Sequence, residues 1–173
     1  MWIDFLLMAL LAICVFTDLK ERKIYNKVLM PFLILAFVIH LVTGGISGLG
    51  FTLAGTTVGF AILLIPYFMG GMGAGDVKLL AVIGALKGTV FVLTAAVYMA
   101  LAGGILALFV LLFRKGALNR IKQIFIFFGG LRGGMKIPLF MDKEALNATY
   151  PYGVAIAIGA VAAAIFPSGG GLL

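Results

Sequence analysis

Two aspartates, Asp18 and Asp76, are the residues of this chain best suited to chemistry. Asp18 directly follows the apolar stretch 2–17, and Asp76 immediately precedes another that begins at Val77. An ionisable residue at a membrane edge is costly and therefore indicates function. Two carboxylates brought together at a poorly solvated edge cannot both ionise easily, so the pair can share a proton. This pattern predicts aspartic peptide hydrolysis, in which one carboxylate activates water and its protonated partner assists the carbonyl.

The other four acidic residues have ordinary explanations. Asp4 lies at the start of the first apolar stretch, where we expect a structural role. Three lie among lysines and arginines, where solvated ion pairs contribute little: Glu21, Asp142 and Glu144. Taken alone, Asp18 is equally consistent with an interfacial charge at a helix end, and Asp76 with a helix N-cap. An N-cap role is compatible with catalysis.

A glycine-rich loop precedes Asp76 and holds four glycines in six residues: Gly70, Gly71, Gly73 and Gly75. Glycine permits positive φ and close backbone approach, so the loop leaves room for an extended peptide beside the carboxylate. A flexible turn between helices is the simpler alternative. A phosphate-binding loop is disfavoured because its lysine and Ser/Thr are missing and Asp76 would repel phosphate.

The composition is that of a membrane protein. Hydrophobic residues make up 64% of the chain and charged residues 11%, which excludes an ordinary soluble domain and a disordered chain. The net charge of +7 lies in short gaps between apolar runs, so we expect membrane topology and anionic lipids to explain it, not nucleic acid. With one cysteine (Cys14) and one histidine (His40), no disulfide, metal site or cofactor is expected.

The apolar stretches predict an all-α, polytopic membrane protein with six transmembrane helices. Residues 44–50 are a glycine-rich turn, and the apolar run 77–113 is too long for one ordinary span, so we divide it at Lys87-Gly88-Thr89. A basic loop over 114–150 precedes the last span. The predicted spans cover residues 2–17, 28–43, 51–69, 77–87, 89–113 and 153–167.

The basic residues test this count. With six spans, twelve of the thirteen lie on one side of the membrane and only Lys87 on the other. The twelve should face the cytoplasm, which puts both termini outside and places Asp18 and Asp76 together at the cytoplasmic edge. If 77–113 were a single span, the basic residues would be split between the two sides. We therefore predict one membrane-embedded domain, 1–173, in the cytoplasmic (inner) membrane.

Two other features predict packing. Gly55 and Gly59, and likewise Gly84 and Gly88, have the spacing that suits close helix crossing. His40 lies deep in the second predicted span, where a hydrogen-bonded core histidine is the expected state.

Three segments resemble the type IV prepilin peptidase and preflagellin peptidase family, membrane aspartic proteases of the GxGD class. The stretch Gly73-Ala74-Gly75-Asp76-Val77-Lys78-Leu79 is similar to the family signature, here at the start of the fourth predicted helix. The segment from Asp18 to Asn26 resembles the first-aspartate motif, although Tyr25 replaces its usual proline. Tyr150-Pro151-Tyr152-Gly153 is similar to the proline-aromatic-glycine element before the last span.

The resemblance implies cleavage of the basic leader from prepilin-like precursors, with Asp18 and Asp76 catalytic. Six further residues are implied in the active-site loops: Asn26, Gly73, Gly75, Lys78, Pro151 and Gly153. For Lys78, snorkelling to the interface is the alternative. The short chain most resembles the Tad-type (Flp pilus) peptidases, with archaeal preflagellin peptidases as the alternative. We expect no N-methyltransferase activity, because the additional cytoplasmic domain of larger relatives has no counterpart here.

Two hypotheses from other classes compete with a peptidase. A small proton- or cation-coupled transporter would use the same aspartates, but such sites lie near the midplane, and these two lie at one edge. A non-catalytic membrane scaffold would explain the glycines. It gives no reason for two aspartates at matched depth.

Overall fold

The computed structural model describes residues 2–113 and 152–166. In chain order their helices are α1 Trp2–Glu21, α2 Asn26–Phe68, α3 Ala74–Phe113 and α4 Tyr152–Ile165. These two ranges contain no β-strand, so the all-α prediction is confirmed for them. The basic loop predicted over 114–150 and Pro151 lie outside the described residues.

Contacts between residues divide the chain into two units. The first comprises residues 1–102 and 149–173, and holds α1, α2, α4 and α3 as far as residue 102. The second comprises residues 103–148, and its described part is the end of α3. The site described below belongs to the first unit. Organisation as a single 1–173 domain stays a prediction.

α2 is interrupted at Gly45, whose φ of 58° and ψ of −139° are not helical. The chain folds back there, because the backbone of Gly48 lies against the His40 carbonyl. Residues eight apart in a straight helix would be separated by about 12 Å. The residues on both sides of Gly45 are helical, so the break is shorter than the turn predicted over residues 44–50.

α3 is interrupted at Gly88, within the segment where the sequence predicts a division, with φ 83° and ψ −179°. A side chain there would meet the strain of positive φ and collide with the Phe51 ring. The break leaves carbonyls of the preceding turn without helical N–H partners. The Nε2 atom of His40 lies 3.1 Å from one of them, the Leu86 oxygen, so the expected hydrogen bond of His40 is present.

Three of the described helices are long and apolar enough to cross a membrane: α1, α2 and residues 74–105 of α3. α4 is also apolar but has 14 residues, which span about 21 Å. The breaks at Gly45 and Gly88 divide α2 and α3 where a six-span arrangement requires it. The number six and the outer position of both termini stay predictions.

Glycine contacts hold the second part of α2 against the first part of α3. A Cβ at Gly55 would collide with the Gly84 carbonyl, and one at Gly59 would lie 2.5 Å from the Leu80 carbonyl oxygen. The later residue of α2, Gly59, meets the earlier residue of α3, Leu80, so these two segments run antiparallel. The close crossing predicted from the glycine spacing is therefore confirmed, with one backbone directly on the other.

An ion pair connects the start of α1 with the end of the first part of α3. Asp4 Oδ1, near the start of α1, lies 2.6 Å from Lys87 Nζ, near the Gly88 break. Asp18 and Asp76 lie at the opposite ends of the same two segments. Because the pair is partly exposed, its contribution to stability is small. Asp4 thus has the structural role predicted for it.

Replacing Gly55 with alanine tests the close crossing. We expect Gly55→Ala to lower the free energy of unfolding by about 1–3 kcal/mol, because the new methyl group displaces the Gly84 backbone. The measurement is thermal unfolding of the purified protein in detergent. Gly50→Ala, in the same helical segment with open space around it, is the matched control and should be neutral or slightly stabilising. Equal stability of the two variants would contradict the crossing.

Candidate active site

Asp18 lies in the last turn of α1 and continues its buried face. The buried residues of this helix recur every three or four positions, as expected for one helix face: Leu7, Leu10, Leu11, Cys14 and Asp18. Only 6% of Asp18 is exposed, so its carboxylate sits in the packed interior and not at a solvated helix end. The helical period of the apolar residues therefore places Asp18 on the buried face of α1. This is a second indication from the sequence, besides its position at a membrane edge, that Asp18 is functional.

Asp76 lies in the first turn of α3 and is 8% exposed. Its Oδ2 accepts a hydrogen bond of 3.0 Å from the Gly73 N–H, one residue before the helix begins at Ala74. This is the arrangement in which an acidic side chain at the third helical position satisfies a free N–H at the helix start. The N-cap alternative for Asp76 is therefore wrong, because the N-cap is Gly73, three positions earlier. Asp76 still caps the helix, since its side chain accepts the Gly73 N–H.

The connection between α1 and α2, which follows Asp18 in the chain, packs on the glycine loop that precedes Asp76. A Cβ at Gly75 would lie 2.9 Å from the Ile24 Cβ, so only glycine allows this approach. This contact puts the end of α1 that carries Asp18 near the start of α3 that carries Asp76. That the two carboxylates act as a pair at the cytoplasmic edge of the membrane stays a prediction. The family motif around Gly75 therefore has a packing reason as well as a chemical one.

A polar contact links the same two connections. Lys78 Nζ, two residues after Asp76 in α3, donates a hydrogen bond of 3.1 Å to Asn26 Oδ1 at the start of α2. Both residues were candidates for the active-site loops, and they contact each other next to the carboxylates. The ammonium group of Lys78 thus has a protein partner, which differs from simple snorkelling to the interface.

The turn between α1 and α2 contains two residues that sequence reasoning did not assign. Arg22 ends α1 with a φ of 51°, and its N–H donates to the Asp18 carbonyl. Tyr25, in the place of the family's proline, donates a hydrogen bond from its hydroxyl to the Glu21 carboxylate. That bond raises the pKa of the Tyr25 phenol. The Tyr25–Glu21 hydrogen bond holds the turn through a side-chain contact. A proline at this position would instead restrict the backbone.

Asp18 has a partner far along the chain. The backbone N–H of Gly153, in the first turn of α4, donates a hydrogen bond of 3.0 Å to Asp18 Oδ2. Each of the two carboxylates is thus held by a glycine N–H. Among the predicted site residues, Gly73, Gly75 and Gly153 lie at the carboxylate pair. Pro151 is outside the described residues.

Metal ligation finds no support in the described ranges. Nowhere in residues 2–113 and 152–166 do three or more His, Cys, Asp or Glu residues form a group that could hold a metal ion.

These apolar helices, with two buried carboxylates at one end, define a helical membrane protein with a candidate hydrolytic site. The chain belongs to the type IV leader peptidase family, whose sequence model matches residues 5–108, more than half of its length. The protein is therefore a multi-pass membrane peptidase with a prepilin-like substrate. Comparison with curated proteins and with solved structures gave no match. The matched range includes both aspartates and the glycine loop, and ends before α4.

Exchanging the two partners tests the Asn26–Lys78 contact. We expect Lys78→Asn and Asn26→Lys each to lower the rate of leader cleavage up to about fivefold, because a hydrogen bond worth about 1 kcal/mol is lost. The double variant Asn26→Lys with Lys78→Asn restores a donor and an acceptor and should recover most of the rate. The assay is the initial rate of precursor cleavage in membranes. Additive losses in the double variant would show that the residues act separately.

Proposed function

We propose that this peptidase is of the aspartic type, with Asp18 and Asp76 as its catalytic pair. The observation that carries the proposal is that both carboxylates are buried, each with one oxygen held by a glycine N–H. Buried carboxylates so placed share a proton readily. Both aspartates also lie in the range that matches the family.

Hydrolysis follows from one ionised and one protonated carboxyl group. The ionised carboxylate takes a proton from water while the water oxygen bonds to the scissile carbonyl carbon, and the protonated partner donates its proton to the carbonyl oxygen. In the second step the tetrahedral intermediate collapses and the carbon–nitrogen bond breaks. The first carboxyl group gives its proton to the leaving amine, and the partner recovers a proton from the intermediate's hydroxyl. The pair ends in its starting state.

The substrate we propose is the basic leader of a Flp/Tad-type prepilin precursor, cut at the cytoplasmic face of the inner membrane. The charge asymmetry of the sequence supports this side, and Lys87 lies at the end of its helix remote from the aspartates. An archaeal preflagellin is the alternative precursor.

A transporter is not supported. Both carboxylates lie at helix ends, one in the last turn of α1 and one in the first turn of α3, whereas substrate and ion sites of secondary transporters lie near the midplane. The match to a peptidase family also favours hydrolysis over transport.

Asparagine substitutions test the catalytic pair. We expect Asp18→Asn and Asp76→Asn each to reduce cleavage of a co-expressed Flp-type precursor by at least about 100-fold, because proton transfer needs both carboxyl groups. The measurement is the amount of leader-shortened product relative to the membrane-inserted enzyme. Asp4→Asn, which changes a carboxylate at the other end of α1, is the matched control and should retain activity. Cleavage that survives in either of the first two variants would exclude the pair.

Cysteine labelling tests the side of the membrane. In a Cys14→Ser background, Lys20→Cys should react with an impermeant thiol reagent only from the cytoplasmic side, because it follows the first span next to Asp18. Thr43→Cys, which is exposed near the Gly45 break, should react only from the other side. Labelling of both positions from one side would contradict the six-span arrangement.

A further inference from the structure

Helix α4 reaches Asp18 from outside residues 5–108, the range that the family's sequence model matches. Its Gly153 N–H donates to Asp18 Oδ2 at 3.0 Å across 135 positions of sequence. N–H groups of a first helical turn have no partners within their own helix, so they are free to hold an anion.

The contact requires glycine. A Cβ at position 153 would lie 2.7 Å from Asp18 Oδ2 and 3.0 Å from its carboxyl carbon, which is closer than real contacts allow. The contact at Asp76 is tight but less strict, since a Cβ at Gly73 would lie 3.2 Å from the accepting Oδ2. The two glycines share the task of donating an N–H to a buried carboxylate. Gly73 holds a carboxylate in its own turn, and Gly153 holds one on another helix.

The composition of α4 lets it come close enough to make this contact. Its buried residues are almost all glycine or alanine: Gly153, Ala155, Ile156, Ala157, Gly159, Ala160 and Ala163. Gly159 lies with its backbone on α3, where a Cβ would be 2.6 Å from the Ala95 carbonyl oxygen. Packed in this way, α4 has little freedom to move away from Asp18, and the position of Gly153 is set by the helix as a whole.

We propose that Gly153 is the positioning residue for Asp18, so that the first turn of α4 belongs to the catalytic machinery. The N–H of Gly153 fixes the rotation of the Asp18 carboxylate, and the absent side chain leaves the space in which the carboxylate sits. This inference rests on the proposed aspartic mechanism, and adds to it a helix that the family match does not include. Misplacing a catalytic group by about 1 Å can cost about 100-fold in rate.

The kinetic test compares three variants under one assay with a Flp-type precursor. Gly153→Ala should lower kcat per folded enzyme at least about tenfold with KM unchanged, because its methyl group displaces the carboxylate and not the substrate. Gly55→Ala, which disturbs packing near the Gly88 break of α3, should lower Tm and leave kcat per folded enzyme unchanged. Ile158→Ala, on the exposed side of α4, should change neither. A Gly153→Ala enzyme with wild-type kcat would overturn the proposal.

A spectroscopic test does not depend on activity. Tyr152-Gly153 is the only Tyr-Gly pair in the sequence, so carbonyl-13C tyrosine with 15N glycine selects the Gly153 amide alone in an NMR spectrum. Its proton should move upfield in Asp18→Ala and hardly move in Asp76→Ala. An unchanged signal in Asp18→Ala would contradict the contact, even if Gly153→Ala failed to fold.

The two tests also separate this proposal from the function on which it rests. A wild-type enzyme that cleaves no precursor contradicts the proposed function, and the amide signal then still decides whether α4 holds Asp18. Cleavage by the wild type together with an unimpaired Gly153→Ala variant leaves the function standing and removes Gly153 from it.

Discussion

Burial of two carboxylates in an apolar helical protein is the constraint on which the rest of the structure depends. A carboxylate taken out of water needs hydrogen-bond partners, since the free-energy cost is otherwise several kcal/mol. Asp76 finds its partner in the Gly73 N–H, three positions earlier, and Asp18 finds its partner in the Gly153 N–H on another helix. Both donors are glycines because any side chain at these positions would press against the carboxylate that the N–H holds.

Glycine also allows close backbone contact at three other places where segments of the chain pack together. Gly55 against Gly84, Gly75 against Ile24 and Gly159 against Ala95 each bring a backbone into contact with another segment. In lipid, helix association depends on such packing because no hydrophobic driving force acts between helices. The contacts serve the site directly, since Gly75 joins the two connections that carry the aspartates and Gly159 holds the helix that reaches Asp18.

Register along the helices completes the placement. From Asp4 to Asp18 the helix rises about 21 Å, and from Asp76 to Lys87 about 17 Å. The Lys87 side chain is long enough to make up the difference and meets Asp4. An ion pair at one end of the two segments is therefore compatible with a carboxylate pair at the other. Displacement by one helical turn, about 5.4 Å, would separate both pairs.

Several features could be predicted from single residues because they depend on local rules. The break at Gly88 follows from an apolar run too long for one span, and the shared edge of Asp18 and Asp76 follows from the distribution of lysines and arginines. Local detail was less accurate. In the glycine-rich segment 44–50, which the sequence predicts to be a turn, only Gly45 has non-helical φ and ψ. One such residue is enough to reverse the chain, and the others stay helical. Asp76 is the third residue of its helix and not the residue before it, and its carboxylate accepts the free N–H of Gly73 at the helix start.

By itself, the sequence determined which segments are apolar helices and which two of six acidic residues lack a surface explanation, because hydropathy and charge act over a few neighbouring residues. Only the tertiary structure decided that Gly153 holds Asp18 and that Asn26 meets Lys78. Those contacts join positions 135 and 52 residues apart. They exist only once the helices are packed side by side, and no local periodicity or motif spacing specifies which helix lies next to which.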